Sequence, residues 1–470
     1  MHGGFHPKSS TLRLYAKQKE GVRGLVSVST TVLDEVTNIR KYIRKMAPTD
    51  RVLSEYLRQQ KPKKPELDGD MNMEDPNDSF PEEIAAVKED LENNDTAAAA
   101  AKIQEYLDKQ NNVPLNIAIT GESGAGKSTF INAFRGLSND DEGAAPTGVT
   151  ETTVVVKEYS HPNYPNVTLW DLPGVGTPNF PSDTYLKLVG FEKFDFFIII
   201  SDTRFRENDI KLAKEIQRMK KKFYFVRSKI DNDINAEKRK RDFNPEMALV
   251  KMREDCIGGL QGQSIESPQV FLVSSFELHL YDFSLLHQTL ERELPAHKRD
   301  ALLFAMPNIN LEIINKKKEA FQSKIKYWAT LSAAVAGAPV PGVSICMDLS
   351  MMVNVVIDYV VGFGLNKPSL QKLSASSGVP YTELLDVLKS PLAAVKITKE
   401  LLLKLLSQMA STAALMALEE GSRWIPLIGI PLAMGLSFTT TYRALNYFLT
   451  ELADDAQRVF KRALGLNTSV

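Results

Sequence analysis

The sequence predicts an α/β domain with a mostly parallel, six-stranded sheet, joined to a region that is helical throughout. Three observations carry this. Six short apolar runs lie between residues 115 and 275, a glycine-rich octet follows the first run directly, and helical character without strand patterning extends from Pro295 to residue 465. The expected strands are Leu115–Thr120, Thr153–Tyr159, Val167–Asp171, Phe194–Ser201, Phe223–Arg227 and Val270–Ser274. Near-continuous apolar runs of this length mark strands covered on both faces, as in parallel sheets flanked by helices. The segment His161-Pro-Asn-Tyr-Pro-Asn166 reads as a hairpin turn, which makes the second run an antiparallel edge strand.

Texture divides the chain into four parts. Residues 1–80 are a polar arm, largely flexible by composition, with a basic stretch (Arg40 to Lys64) followed by an acidic one (Glu66 to Asp78). Residues 81–112 read as two short helices broken near Asn93 and Asn94, residues 113–295 as the α/β domain, and residues 296–470 as helical. Lys plus Arg number 57 against 58 for Asp plus Glu, so no global positive charge draws the chain onto nucleic acid, and no basic module interleaved with aromatics appears. Two cysteines are too few for a disulfide framework or a zinc site, which points to the reducing cytoplasm. The first residues, Met-His-Gly-Gly, show neither a secretion signal nor the glycine that N-myristoylation requires.

The strongest chemical signal is Gly121-Glu122-Ser123-Gly124-Ala125-Gly126-Lys127-Ser128, between an apolar strand and the helix-like run Thr129–Leu137. Glycines let the backbone approach phosphates, and successive N–H groups at a helix start form a positive cradle. Lys127 is placed to bridge the β- and γ-phosphates, and Ser128 to ligate Mg²⁺. Asp171-Leu-Pro-Gly174 ends the third strand, where the carboxylate serves the metal and the Gly174 N–H a γ-phosphate. Ser228-Lys229-Ile230-Asp231 ends the fifth: a carboxylate there accepts from N1–H and the 2-amino group of guanine, and the Lys229 stem lies along the purine. Ser274 and Ser275, after the last strand, offer backbone N–H groups to the base carbonyl. These elements occur in order at strand ends, where open α/β sheets bind ligands. The cofactors expected are therefore GTP or GDP with Mg²⁺.

Between the octet and Asp171, Ala144 to Thr153 forms a candidate switch segment. Thr153 is the expected magnesium ligand, with Thr152 the competitor and the start of an edge strand the structural alternative. Glu151 could orient water, contact a second molecule's nucleotide, or simply be an exposed turn residue. Val175 occupies the position where many small GTPases carry a water-orienting glutamine, so intrinsic turnover should be slow and should rise when another molecule completes the site.

These motifs, together with Glu142 to Thr153, Tyr164-Pro-Asn-Val, Trp170 to Gly174, Phe194 to Ile200, Lys222 to Asp231, Tyr281-Asp-Phe and Leu388-Lys-Ser-Pro391, resemble the interferon-inducible immunity-related GTPases over about Phe80 to Ala463. The resemblance implies a dynamin-like enzyme in which a Ras-like domain joins a helical domain built from segments on both sides of it. It also implies GTP-dependent homo-oligomers through nucleotide-binding faces, and peripheral action on intracellular membranes in cell-autonomous immunity. Lys127 matches the subgroup with lysine in the phosphate loop. Departures are the long arm before residue 80, Ser228 where Thr or Asn is usual, and the missing acylation signal.

Two apolar stretches bear on membranes, Leu331–Gly364 and Trp424–Leu449. Prolines and acidic residues interrupt the first and prolines the second, so one-leaflet insertion or burial in a helical core fits each better than spanning. The expected function is a self-assembling GTPase switch. The alternative is a nucleotide-gated scaffold in which hydrolysis only resets binding to an effector, in a tissue-specific role.

Overall fold

The computed structural model describes residues 87–465 apart from 88, 91, 92, 94, 149–154, 174–186, 188, 204, 337–342 and 421–437. The expectations for Glu151, Thr152, Thr153, Gly174, Val175, the arm 1–80 and residues 424–437 therefore lie outside the described residues. Residues 77–411 and 429–470 form one compact unit, and of the other (1–76 with 412–428) only 412–420, the end of one helix, is described.

Six strands, β1 (Leu115–Thr120), β2 (Lys157–Ser160), β3 (Val167–Asp171), β4 (Phe196–Ser201), β5 (Lys222–Arg227) and β6 (Val270–Leu272), form one sheet in the order β2-β3-β1-β4-β5-β6. Every pair is parallel except the β2–β3 hairpin. Side chains alternate across the sheet with period two. Ile117, Ile119, Phe196, Ile198, Ile200, Tyr224 and Val226 enter one buried core, while Ala118, Phe197, Ile199 and Phe225 enter the core on the other face. Helices α1 (Thr96–Asn111), α2 (Lys127–Phe134), α3 (Glu207–Arg218), α4 (Ile230–Glu237), α5 (Pro245–Gly262), α6 (Phe283–Glu293) and α7 (Ala296–Ala305) follow in chain order. Of these, α2, α6 and α7 cover the first face and α3, α4 and α5 the second. Although α7 lies beyond residue 295, its Ala301, Leu302, Leu303 and Ala305 belong to the sheet's core.

The remaining helices are α8 (Leu311–Ala336), α9 (Val343–Gly362), α10 (Lys367–Ser377), α11 (Tyr381–Asp386), α12 (Lys399–Glu420) and α13 (Phe438–Ala463). Their core holds Phe321, Ile325, Met352, Tyr359, Leu445, Phe448 and Leu452, all buried. α1 docks on α8, with Ile103 and Leu107 against Tyr327 and Leu331, so the N-terminal segment joins the helical region. The buried Asp455 of α13 accepts from the backbone N–H groups of Lys389 and Ser390, both at 2.8 Å, which anchors the Leu388-Lys-Ser-Pro391 motif. Among the described residues Leu349–Ser377 has the length and composition of a membrane-crossing helix. The chain turns there between α9 and α10, and Leu349, Met352, Val355, Val356 and Val360 are buried in the helical core.

Candidate functional site

The octet forms the turn between β1 and α2. Gly121 is forced by its neighbour: a Cβ there would stand 2.0 Å from the Ile200 carbonyl oxygen of β4. Gly126 caps α2 in the left-handed region, at φ 92°, which a side chain disfavours. Ser123 and Gly124 are exposed at the loop's crest, while Ala125 and Lys127 are buried and Thr129 half-buried. The Lys127 ammonium folds back over the loop, donating to the carbonyls of Gly121 (3.1 Å) and Glu122 (3.0 Å). Ser128 Oγ donates to Asp171 Oδ2 at 2.8 Å, so the end of β3 and the start of α2 bring two hard oxygen donors together. A hydroxyl and a carboxylate beside a phosphate cradle are a donor set suited to Mg²⁺.

The second half of the site follows β5. Ser228 Oγ, buried, donates to the Ala125 carbonyl at 2.6 Å and to the Ser201 carbonyl at 3.3 Å, tying the phosphate loop to the motif that follows β5. Lys229, at φ 58°, extends its amine to the Gly124 carbonyl (2.7 Å) and Asp202 (3.0 Å), so its stem spans from the base-side motif to the crest of the phosphate loop. Asp231 sits in the first turn of α4, and its Oδ1 is buried with no hydrogen-bond partner among the described residues. A buried carboxylate oxygen without a donor is costly unless a ligand supplies one. The N–H pair of guanine fits it. Ser274 Oγ accepts from the N–H groups of Phe276 and Glu277, both at 3.3 Å, which closes a turn beside Ser275.

Sequence reasoning missed a charged cluster on the β4–α3 side. Arg206 forms an ion pair with Glu122 of the octet. Asp209 accepts the Arg206 N–H at 3.1 Å, capping α3, and is almost wholly buried. Burial pushes its carboxyl up to about 6, and Glu122 adds to the rise against the opposing pull of the cap bond. The available signal was the acidic residue three positions after Arg206 at the start of an amphipathic run, a cap pattern. The pairing with Glu122 spans 84 residues and has no local signal.

Comparisons with known proteins give the family. The family described as Interferon-inducible GTPase (IIGP) matches residues 80–463. The chain is 42% identical over 385 residues to Interferon-inducible GTPase 5 of Bos taurus, covering 82% of each protein. It is 39% identical over 393 residues to Interferon-gamma-inducible GTPase 10 of Mus musculus, covering 83% of this chain and 91% of that one. Among solved structures it is similar to Era in complex with MgGDPNP and ribosomal RNA nucleotides, at 18% identity and TM-score 0.27 over 41% of this chain and 65% of that chain. The chain belongs to the interferon-inducible GTPase family and is a GTPase of the immunity-related kind.

Proposed function

We propose that this chain is a cytoplasmic switch whose GTP-bound form self-associates through its nucleotide-bearing face and is recruited to intracellular membranes in cell-autonomous immunity. The observation that carries the nucleotide part is the unpartnered, buried Asp231 oxygen, joined through Ser228 and Lys229 to the same loop that holds Lys127. A relative of Mus musculus, 41% identical over 296 residues, is named T-cell-specific guanine nucleotide triphosphate-binding protein 2, which supports guanine as the base.

In this reading the backbone of Gly121–Ser128 cradles the phosphates. Lys127 exchanges two carbonyl acceptors for charged phosphate oxygens, a stronger pairing. Ser128, Asp171 and Thr153 hold Mg²⁺, which when bound neutralises phosphate charge. Asp231 reads the guanine edge, Lys229 covers its face, and Ser274 and Ser275 border the base. Gly174 senses the γ-phosphate. Glu151 acts at the attacking water or at a second molecule's nucleotide. With Val175 unable to orient water, completion of the site by a second copy accelerates hydrolysis.

Calorimetry on the full chain is expected to show binding of GTP and GDP and none of ATP. GTP with Mg²⁺ should produce reversible light scattering that GDP does not, and turnover per molecule should rise with protein concentration. Heat from ATP equal to that from GTP would overturn guanine recognition. Turnover that stays flat over a hundredfold concentration range, with a persistent monomer, would leave the scaffold reading in place of self-assembly. Flotation with anionic liposomes only in the GTP state is the expected membrane result, and equal flotation with GDP would remove the switch from that step.

A further inference from the structure

The β2–β3 hairpin reaches the nucleotide site at one end and the helical domain at the other. At the open end Lys157 of β2 lies opposite Asp171 of β3, the residue bonded to Ser128. At the closed end Ser160 faces Thr168, and His161 N–H donates to the Val167 carbonyl at 2.8 Å. The β3 span between these ends is about 13 Å at strand rise.

Two side chains anchor the turn, His161, which is buried, and Tyr164, which is half-buried, while Pro162, Asn163 and Pro165 are exposed. His161 Nδ1 accepts from the N–H groups of Asn163 (3.3 Å) and Tyr164 (3.2 Å), and its ring also bonds the backbone of Ala305 at the end of α7. The Tyr164 ring stacks on Phe304 with centroids 6.1 Å apart, and Phe304 lies 4.5 Å from Phe321 of α8. Gly362 leaves room for this insertion. A Cβ there would come 2.6 Å from the Phe321 ring and 3.2 Å from the Tyr164 hydroxyl. Beneath these rings Lys317 of α8 donates to the Met306 carbonyl (2.6 Å), just past α7, and to the Gly362 carbonyl (3.0 Å), ending α9.

Among the described residues no carboxylate pairs with this buried amine, whose donors serve the Met306 and Gly362 carbonyls. An apolar side chain of similar volume could fill the site but would leave both carbonyls without that donor. The amine thereby gathers the negative ends of two helix dipoles at one point, within electrostatic reach of His161 in the hairpin turn.

We infer that the His161–Asn166 turn is a relay, seated on the Lys317 node, that carries the nucleotide state at Asp171 to the ends of α7 and α9. The inference rests on nucleotide binding at Gly121–Ser128. Tyr164 and Lys317 act as positioning residues: they touch no nucleotide, and they set how the helical domain follows the hairpin.

The test is hydrogen–deuterium exchange on the full chain, free and with GDP or a nonhydrolysable GTP analogue, after calorimetry has established binding. The wild type is expected to show at least a fivefold difference between GDP and analogue in amide exchange at 161–166, 302–310 and 358–366. Lys317→Met and Tyr164→Ala should bind analogue within twofold of the wild type yet lose that difference at 302–310 and 358–366. In both, kcat should fall with KM unchanged, and Tyr164→Phe, which keeps the ring, should restore both. A difference confined to the phosphate and base loops, or one retained by Tyr164→Ala, would overturn the relay. If Lys317→Met does not fold, Tyr164→Ala decides alone. Absence of nucleotide heat in the wild type is a separate result, which sinks the nucleotide reading itself and the relay with it.

Discussion

Asp231 illustrates how one atom can define a ligand. Its Oδ1 is buried without a donor, although the neighbouring Lys229 and Ser228 spend their donors on Gly124 and Ala125. On the proposed reading, a pair of N–H groups on guanine would convert that cost into charge-assisted bonds of about 1.5–3 kcal/mol each. Replacing the carboxylate by an amide inverts half of the pattern, since Asn presents an N–H where guanine also presents one. Asp231→Asn should therefore weaken GTP roughly 100-fold and improve xanthosine triphosphate, whose 2-carbonyl accepts the new donor. Competition calorimetry with the two nucleotides checks this, and equal loss for both would show that the residue is only part of the fold. The place of Asp231 just after β5 was legible from sequence, because Ser-Lys-Ile-Asp ends an apolar run. What closed the arrangement was not, because the Ser228 tie to Ala125 joins residues 103 apart.

Elements were legible where burial alone sets them, and shifted where a turn competes. β1 and β3 begin and end at the expected residues, Leu115–Thr120 and Val167–Asp171, since both are short buried runs bounded by polar turns. β4 starts at Phe196 rather than Phe194, because a 3₁₀ turn over Phe191–Lys193 delivers Phe194 edge-on to Trp170. β6 stops at Leu272, ahead of the expected Ser274, whose hydroxyl closes the next turn. α2 spans Lys127–Phe134 instead of Thr129–Leu137, because the left-handed Gly126 starts the helix inside the octet. The start of α3 carries a testable electrostatic consequence. Asp209 titrates near 6 in the folded protein against an ordinary value of 3.8. Between those values the folded chain binds the proton that the unfolded chain releases, so Asp209's contribution to stability declines as pH rises from about 4 to 6 and stays at its low value above. Asp209→Asn keeps a cap acceptor and removes the buried charge. Its unfolding free energy from urea titration should exceed the wild type's at pH 7.5, by about 1–3 kcal/mol, with the gain vanishing near pH 4. A gain that does not change with pH would place the effect in packing.

At the scale of the whole molecule α8 is the spine. It packs against α1, α7, α9 and α13, and through Lys317 it gathers the ends of α7 and α9 beneath the β2–β3 turn. The node was not legible from sequence: Lys317 sits between Lys316 and Lys318, and only the fold buries the middle one. Burial pulls the Lys317 amine down from 10.5 to about 7. Below 7 both states carry the proton, so the folded state bears the full cost of a buried charge. Between 7 and the ordinary value the unfolded chain holds a proton that the folded chain lacks, so stability rises with pH across that window. The rise approaches 1.4 kcal/mol per pH unit at its limit. Lys317→Met removes the titration and leaves the Met306 and Gly362 carbonyls without their donor. The stability of the wild type relative to Lys317→Met should therefore increase by about 2 kcal/mol between pH 7 and pH 9, measured as the difference in urea unfolding free energies at the two values. A difference that holds constant across that range would mean the amine stays fully charged in the fold. The two helix ends would then be held by an ammonium at every pH the protein meets, and the node would be a fixed pin rather than one whose charge can be released.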